Sequence, residues 1–196
     1  MLESKDADRV GFTAISADMC FSPVKNATAD GVKLQEKGTP AGCAATGEAD
    51  QYGSYRKILK AIGVNVEEGE VEEHSGVKVV MGPQIVVKPS AMLCLAEFRE
   101  AFPTPGNVTI SKTSSLVIEG SGKLTIKKLN LDGAMKVVCH DGADSTIQDI
   151  KIQNAGWKRV PAEEGAGEAI AMRGYQLEKM DTAELVYKKQ GECIIL

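Results

Sequence analysis

The sequence of 196 residues predicts an α/β segment followed by a coil of short β-strands. Two patterns support this division. Apolar residues recur at spacings of three and four over residues 49–62, which is typical of one face of a helix. From residue 107 onward, pairs of apolar residues alternate with polar ones and are separated by Gly, Asp and Asn, which is typical of short strands joined by tight turns.

The N-terminal part contains the predicted α/β elements. Residues 9–25 predict one or two short buried strands, because their apolar residues cluster before Pro23. Residues 26–47 show no period and predict a long irregular connection. A helix is expected between an N-cap at Thr46 and a stop at Gly63, and an extended segment follows it.

The middle of the chain predicts a boundary and then a second set of elements. A glutamate-rich run over residues 67–75 predicts an exposed turn or linker, and we place a domain boundary near residue 70. Residues 77–88 predict two strands around a Gly-Pro pair. A second helix is expected after Ser90 and ends before Pro103, because the residue preceding a proline avoids the helical conformation.

The region 107–152 is predicted to be a β-solenoid, in which each coil buries its apolar residues against the next. Antiparallel hairpins are the alternative, because Asp-Gly is also a strong hairpin signal. In the solenoid, one narrow core is expected to contain Leu116, Ile118, Leu124, Ile126, Leu129 and Leu131. Further on, residues 170–177 predict a strand, and residues 178–188 predict a short helix.

Composition excludes several classes of function. The chain has 23 Lys and Arg against 27 Asp and Glu, a net charge of −4, so it has no general attraction to nucleic acid or anionic lipid. No apolar run approaches the roughly 20 residues of a membrane-spanning helix, and the charged N-terminus does not resemble a signal peptide. The five cysteines are scattered, as expected for free thiols in a reducing cytosol. We therefore expect a cytoplasmic protein with no nucleic-acid and no membrane partner.

Few residues fall into a recognisable catalytic pattern. The sequence has no phosphate-loop, dinucleotide-binding, zinc-protease or nucleophile-elbow motif, and neither His74 nor His140 lies in one. The most informative segment is residues 21–26, where Lys25 and Asn26 follow an apolar run and a proline. Because α/β folds place ligand-binding groups after the carboxyl ends of strands, the Lys25 ammonium is a candidate to neutralise a phosphate. A solvated surface lysine is the alternative.

Eight sequence blocks resemble those of the UDP-sugar pyrophosphorylases, and the UDP-N-acetylhexosamine pyrophosphorylases carry similar motifs. The blocks lie in the family's order and span nearly the whole chain. They are residues 9–13 (RVGFT), 21–26 (FSPVKN), 38–40 (Gly-Thr-Pro), 45–48 (ATGE), 61–64 (AIGV), 129–134 (LNLDGA), 154–157 (NAGW) and 173–175 (RGY). The last three blocks favour the broad-specificity UDP-sugar enzyme over its N-acetylhexosamine relative.

The resemblance is to the C-terminal part of the family only. The family's Gly-rich nucleotide loop and its uridine-binding and main sugar-binding segments are not found in this sequence. The resemblance implies an α/β plus β fold. Residues 1–70 would be the C-terminal part of a Rossmann-like nucleotidyltransferase domain, the catalytic domain. Residues 71–196 would be a connection and a small left-handed parallel β-helix domain.

The implied reaction transfers a uridylyl group between UTP and sugar-1-phosphates to give a UDP-sugar and pyrophosphate. By the resemblance, Lys25 and Asn26 bind phosphates of UTP, the sugar-1-phosphate or the UDP-sugar. Mg²⁺ is the implied cofactor, with ligands outside this chain. No catalytic residue is assigned here, so the chain alone is expected to be inactive without the missing N-terminal catalytic part. Two alternatives are a non-catalytic β-solenoid assembly module and a UDP-N-acetylhexosamine pyrophosphorylase fragment.

Overall fold

Helices from the N-terminal part pack on strands that stack in parallel along the rest of the chain. The computed structural model describes Asp6, residues 10–189 and residues 193–195. The helices are α1 (Ala17–Cys20), α2 (Thr28–Glu36), α3 (Ala44–Ile62), α4 (Leu95–Ala101) and α5 (Glu168–Arg173). The strands are β1 (Asn65–Val66), β2 (Glu70–His74), β3 (Val77–Met81), β4 (Gln84–Val87), β5 (Val108–Ile110), β6 (Ser115–Gly120), β7 (Lys123–Ile126), β8 (Leu129–Asp132), β9 (Ala134–Cys139), β10 (Asp144–Ile147), β11 (Ile150–Gln153), β12 (Trp157–Pro161), β13 (Tyr175–Lys179), β14 (Ala183–Tyr187) and β15 (Cys193–Ile195).

Three sheets contain the stacked strands. The first has the order β1-β5-β8-β11, the second β4-β6-β9-β14, and the third pairs β7 with β10; all these pairings are parallel. Val108 pairs with Leu129, and Leu129 pairs with Ile150 one turn of the chain later. We call residues 108–153 the coil stack. The parallel pairing predicted for this region is confirmed, and its described strands form no antiparallel hairpin. The left-handed sense of the coil stays a prediction.

Side chains from the three sheets meet in one apolar core. All six side chains predicted to lie inside are buried there. Leu59 of α3, Phe98 of α4 and Leu185 of β14 belong to the same core. The helix α4 packs beside β7, so it covers a side of the stack where the third sheet has only two strands.

A second, smaller core lies between α2, α3 and the antiparallel hairpin formed by β2 and β3. Small side chains allow the close packing, since a Cβ added at Gly31 would lie 3.2 Å from the Cβ of Ala41. The members of this core are Ala41, Cys43, Ala45, Ala49, Val77, Val79, Met81 and Tyr175. Because Tyr175 is the first residue of β13, this core also packs the last third of the chain against the first third.

Two predictions for the N-terminal part are wrong. In place of buried strands, the described residues from 10 to 25 contain only the short helix α1, and Phe12 and Phe21 are exposed because no described residue covers them. Residue 9 lies outside the described residues. Residues 26–47 are not irregular throughout, because α2 forms where Gly31 permits close packing.

The helix predicted between Thr46 and Gly63 is confirmed with an earlier start. It begins after Cys43, whose backbone N–H donates to the Thr46 hydroxyl at 3.1 Å, so Thr46 lies one turn inside the helix. Gly63 ends it in the left-handed conformation with φ 101°, which glycine adopts without steric cost.

The second predicted helix also exists, but it begins later. The strands β3 and β4 confirm the two strands expected around the Gly-Pro pair, and α4 ends before Pro103 as predicted. It begins at Leu95 instead of after Ser90. The reason is that the Glu97 carboxylate accepts the backbone N–H groups of Leu93 and Cys94, at 2.6 and 3.0 Å, and so caps the helix there.

Three other local predictions are wrong. The expected linker over residues 67–75 contains β2, which pairs with β3. The expected strand over residues 170–177 begins as α5 and continues as β13. The expected helix over residues 178–188 contains β14, which pairs in parallel with β9. The domain boundary near residue 70 stays a prediction, and β1 pairs with β5 across it. Among the described residues, no helix has the length and hydropathy needed to cross a bilayer.

We expect the stability of the protein to depend strongly on the volume of the individual side chains in the core of the coil stack. Ile126→Ala should lower the free energy of unfolding by about 2–5 kcal/mol, because the slim core cannot collapse around the cavity. The matched control is Lys123→Ala, whose exposed side chain lies 3.4 Å from Asp144 and should change stability by about 0.5 kcal/mol at most. Urea melts of both variants measure this, and equal losses would contradict the burial pattern.

Candidate functional site

Lys25 and Asn26 lie in a loop between α1 and α2, and no strand precedes them among the described residues. Both backbone N–H groups donate to the Gly42 carbonyl, at 2.9 and 3.0 Å, and the Asn26 amide donates to the Ala41 carbonyl at 2.7 Å. The Lys25 side chain is exposed, and among the described residues its ammonium has no hydrogen-bond or ion-pair partner. We call residues 21–27 the Lys25 loop. The hydrogen bonds to Gly42 and Ala41 fix the backbone of the loop, and the Lys25 charge remains available to a ligand.

The Lys25 loop runs along the first half of α3. The Ser22 hydroxyl donates to the Asp50 carboxylate at 2.6 Å. Val24 lies directly against Gly47, where an added Cβ would overlap its side chain. Gly47 is therefore explained by the close approach of the loop to the helix. The position of Lys25 therefore depends on α3 through the contacts of Ser22 and Val24, which precede it in the loop.

An ion pair joins α3 to the C-terminal part of the chain. Arg173 Nη1 lies 3.2 and 3.1 Å from the two carboxylate oxygens of Glu48, and both side chains are about one-fifth exposed. The same guanidinium donates through Nε to the Tyr175 carbonyl at 2.9 Å, and its carbon lies 4.4 Å from the centre of the Tyr175 ring. The Tyr52 hydroxyl also donates to Glu48. Together these contacts form one polar network.

The tyrosines of this network remain neutral at ordinary pH. Burial raises the pKa of the Tyr52 phenol well above that of an exposed tyrosine, and its hydrogen bond to Glu48 raises it further. Burial also raises the pKa of Tyr175, with the nearby Glu48 charge adding to the effect. The two phenols are therefore unsuited to accept protons and serve the packing of this region.

A further contact links the start of α2 to α5. The Thr28 hydroxyl, in the first residue of α2, donates to the Met172 carbonyl at 2.9 Å. Three of the blocks that carry the family resemblance, residues 21–26, 45–48 and 173–175, meet at one place in the fold, because Val24 lies against Gly47 and Glu48 pairs with Arg173. Sequence reasoning singled out the three blocks but did not predict that Glu48 and Arg173 pair.

Two other blocks meet at a corner of the coil stack. The Asn154 amide oxygen accepts the backbone N–H groups of Ala134 and Gly156, at 2.7 and 3.0 Å. Its amide nitrogen donates to the Ala134 carbonyl at 2.9 Å. Because one side chain satisfies three backbone groups of two successive coils, residues 129–134 and 154–157 have a structural role at this corner.

Among the described residues, no group of three or more His, Cys, Asp or Glu side chains is arranged to hold a metal ion.

Comparison with known proteins shows what the chain resembles. No family model matches it. It is 30% identical over 187 residues to a UDP-sugar pyrophosphorylase of Arabidopsis thaliana and 31% identical over 182 residues to one of Oryza sativa subsp. indica. The chain is similar to UDP-sugar pyrophosphorylases. The resemblance expected from the sequence blocks is confirmed. The alignments cover 94% and 91% of this chain but only 30% and 29% of the relatives, so the chain spans about three-tenths of their length.

The polar network predicts a measurable coupling between Glu48 and Arg173. Glu48→Gln and Arg173→Met should each destabilise the chain, because each leaves a largely buried partner unpaired. The double variant should be about 1–3 kcal/mol more stable than the sum of the single losses predicts. Denaturant melts of the four proteins give this coupling. Additive losses would show that the pair does not join α3 to the C-terminal part.

Proposed function

We propose that this chain is the C-terminal portion of a UDP-sugar pyrophosphorylase, within a longer polypeptide or as a separate subunit. The observation that carries the proposal is the similarity over more than nine-tenths of this chain to about three-tenths of such enzymes. The reaction would transfer a uridylyl group between UTP and a sugar-1-phosphate, with pyrophosphate as the second product. Residues 1–70 would complete the catalytic domain, and residues 71–196 would contain a connection and a left-handed β-helix.

Lys25 would stabilise charge on the reacting phosphates. In the proposed reaction, a sugar-1-phosphate oxygen attacks the α-phosphorus of UTP, and negative charge spreads over the phosphate oxygens in the transition state. An ammonium already held beside them needs no reorganisation during the reaction. The exposed, unpaired side chain on a fixed backbone supports this role. Asn26 would act through the shape of the loop, since its amide donates to Ala41.

The cofactor and location of the proposed enzyme follow from its family. Mg²⁺ would neutralise phosphate charge when bound, and its ligands would come from outside the described residues. Nucleotides and sugar phosphates are soluble intracellular compounds, which is consistent with a cytoplasmic location.

Exposed apolar side chains near the N-terminus support a large protein partner. Phe12, Ile15 and Phe21 are 88, 66 and 70% exposed. Soluble proteins seldom leave several large apolar side chains of one short segment uncovered. We propose that the catalytic part that contains the Gly-rich nucleotide loop covers these side chains.

The first functional prediction concerns the isolated chain. Incubated with UTP, glucose-1-phosphate and Mg²⁺, it should release no pyrophosphate, because the Lys25 ammonium alone is an incomplete electrostatic site. Material captured from the native source through this chain should release it. Steady turnover by the isolated chain, or an inactive native sample, would contradict the proposal. Consumption of N-acetylhexosamine-1-phosphate in preference to glucose-1-phosphate would favour the related enzyme instead.

The second concerns Lys25 in the active native protein. Lys25→Ala should lower kcat/KM by about 10²–10³, the usual effect of removing one donor to a developing anion. Lys25→Arg should restore only part of the activity, since a planar guanidinium does not replace a compact ammonium. The control is Lys37→Ala at the end of α2, which should leave the rate unchanged. Equal rates for Lys25→Ala and the wild type would make Lys25 a surface charge only.

A further inference from the structure

A groove of about 390 Å³ lies between α3 and the strand β3, and Lys25 is not among its lining residues. One wall is a face of α3, formed by residues at spacings of three and four. The other wall is formed by the middle of β3. The charged residues along it are Arg56, Lys57, Lys60, Lys78, Asp50 and Glu68.

The groove is positive although the chain as a whole has a net charge of −4. Its two acidic groups are already engaged, because Glu68 pairs with Lys60 and Asp50 accepts the Ser22 hydroxyl. Lys78 is exposed, and its ammonium has no partner among the described residues. Arg56 and Lys78 therefore bring positive charge to the groove that its two carboxylates do not pair.

Arg56 is the most constrained of these cations. Its guanidinium donates only to backbone carbonyls, those of Pro83 at 3.3 Å and Val80 at 3.4 Å. Within the described part of the chain, it forms no ion pair with a carboxylate. A guanidinium has five N–H donors in a planar fork that fits phosphate oxygens. A partly buried guanidinium with two long hydrogen bonds therefore keeps donors available for an anion.

Gly53 provides the space beside this guanidinium. It lies within α3, a helix of 19 residues, where glycine is less favourable than alanine. A Cβ added there would lie 3.5 Å from Arg56 Nη2, an ordinary contact distance, so packing does not require the glycine. Because Gly53 has no methyl group, free volume remains next to the N–H donors of Arg56.

We propose that this groove is a binding site for a small phosphate-bearing anion. Arg56 would bind the phosphate oxygens through its free N–H groups, with Lys78 adding charge at the rim. Val80 gives the same groove an apolar edge. Lys25 does not line this groove, and the proposal does not require that the chain be part of a pyrophosphorylase.

Isothermal titration of the purified chain with sodium pyrophosphate tests the proposal. We expect saturable binding, weakened about tenfold to hundredfold in Arg56→Gln, the effect of losing hydrogen bonds to a charged group. Lys128→Gln is the matched control, because this exposed lysine pairs with Asp149 in the coil stack at 2.7 Å and should not affect binding. Parallel titrations with glucose-1-phosphate and UTP identify which phosphate compound binds most tightly.

Gly53→Ala separates binding from folding. The substitution should raise the melting temperature, because alanine is the better helix former, and should weaken pyrophosphate binding by filling the space beside Arg56. Lys25→Ala should bind pyrophosphate as the wild type does, which keeps this test independent of the proposed function. The proposal is overturned if pyrophosphate does not bind, if Lys128→Gln weakens binding as much as Arg56→Gln, or if Gly53→Ala binds unchanged.

Discussion

The packing of α3 against four neighbouring parts of the chain is the constraint on which the rest of the structure depends. Leu59 of this helix enters the core of the coil stack, and Ala49 enters the second core beside β3. Gly47 lies against the Lys25 loop, and Glu48 pairs with Arg173 from the C-terminal part. Since one rigid helix meets four neighbours, a displacement of α3 would disturb both cores and the candidate phosphate site together.

Local patterns predicted the coil stack well and the chain ends poorly. Alternating apolar pairs such as Leu129 and Leu131 directly indicate short strands with one buried face, and the structure confirms their burial. The strand β14 could not be predicted in this way, because its partner β9 lies more than 40 residues earlier in the chain. The apolar residues near Phe12 were misassigned because a sequence pattern shows that a surface needs a cover but not where the cover comes from.

The candidate site could be located from sequence only through its family resemblance. Lys25 and Asn26 carry no distinctive local pattern, and the backbone bonds that hold them go to Gly42, 16 and more residues away. The Glu48–Arg173 pair joins positions 125 residues apart, which no local pattern can reveal. The structure gives a physical reason for the presence of these sequence blocks. Several of them contact one another and fix the loop that carries Lys25.

The central claim is that this chain works as one part of a larger nucleotidyltransferase. Native mass spectrometry of the protein captured from its source through this chain tests it most directly. The account predicts a species far heavier than the 20.9 kDa of this chain, either one longer polypeptide or a complex with a second subunit. A single species of 20.9 kDa with no associated protein would contradict it.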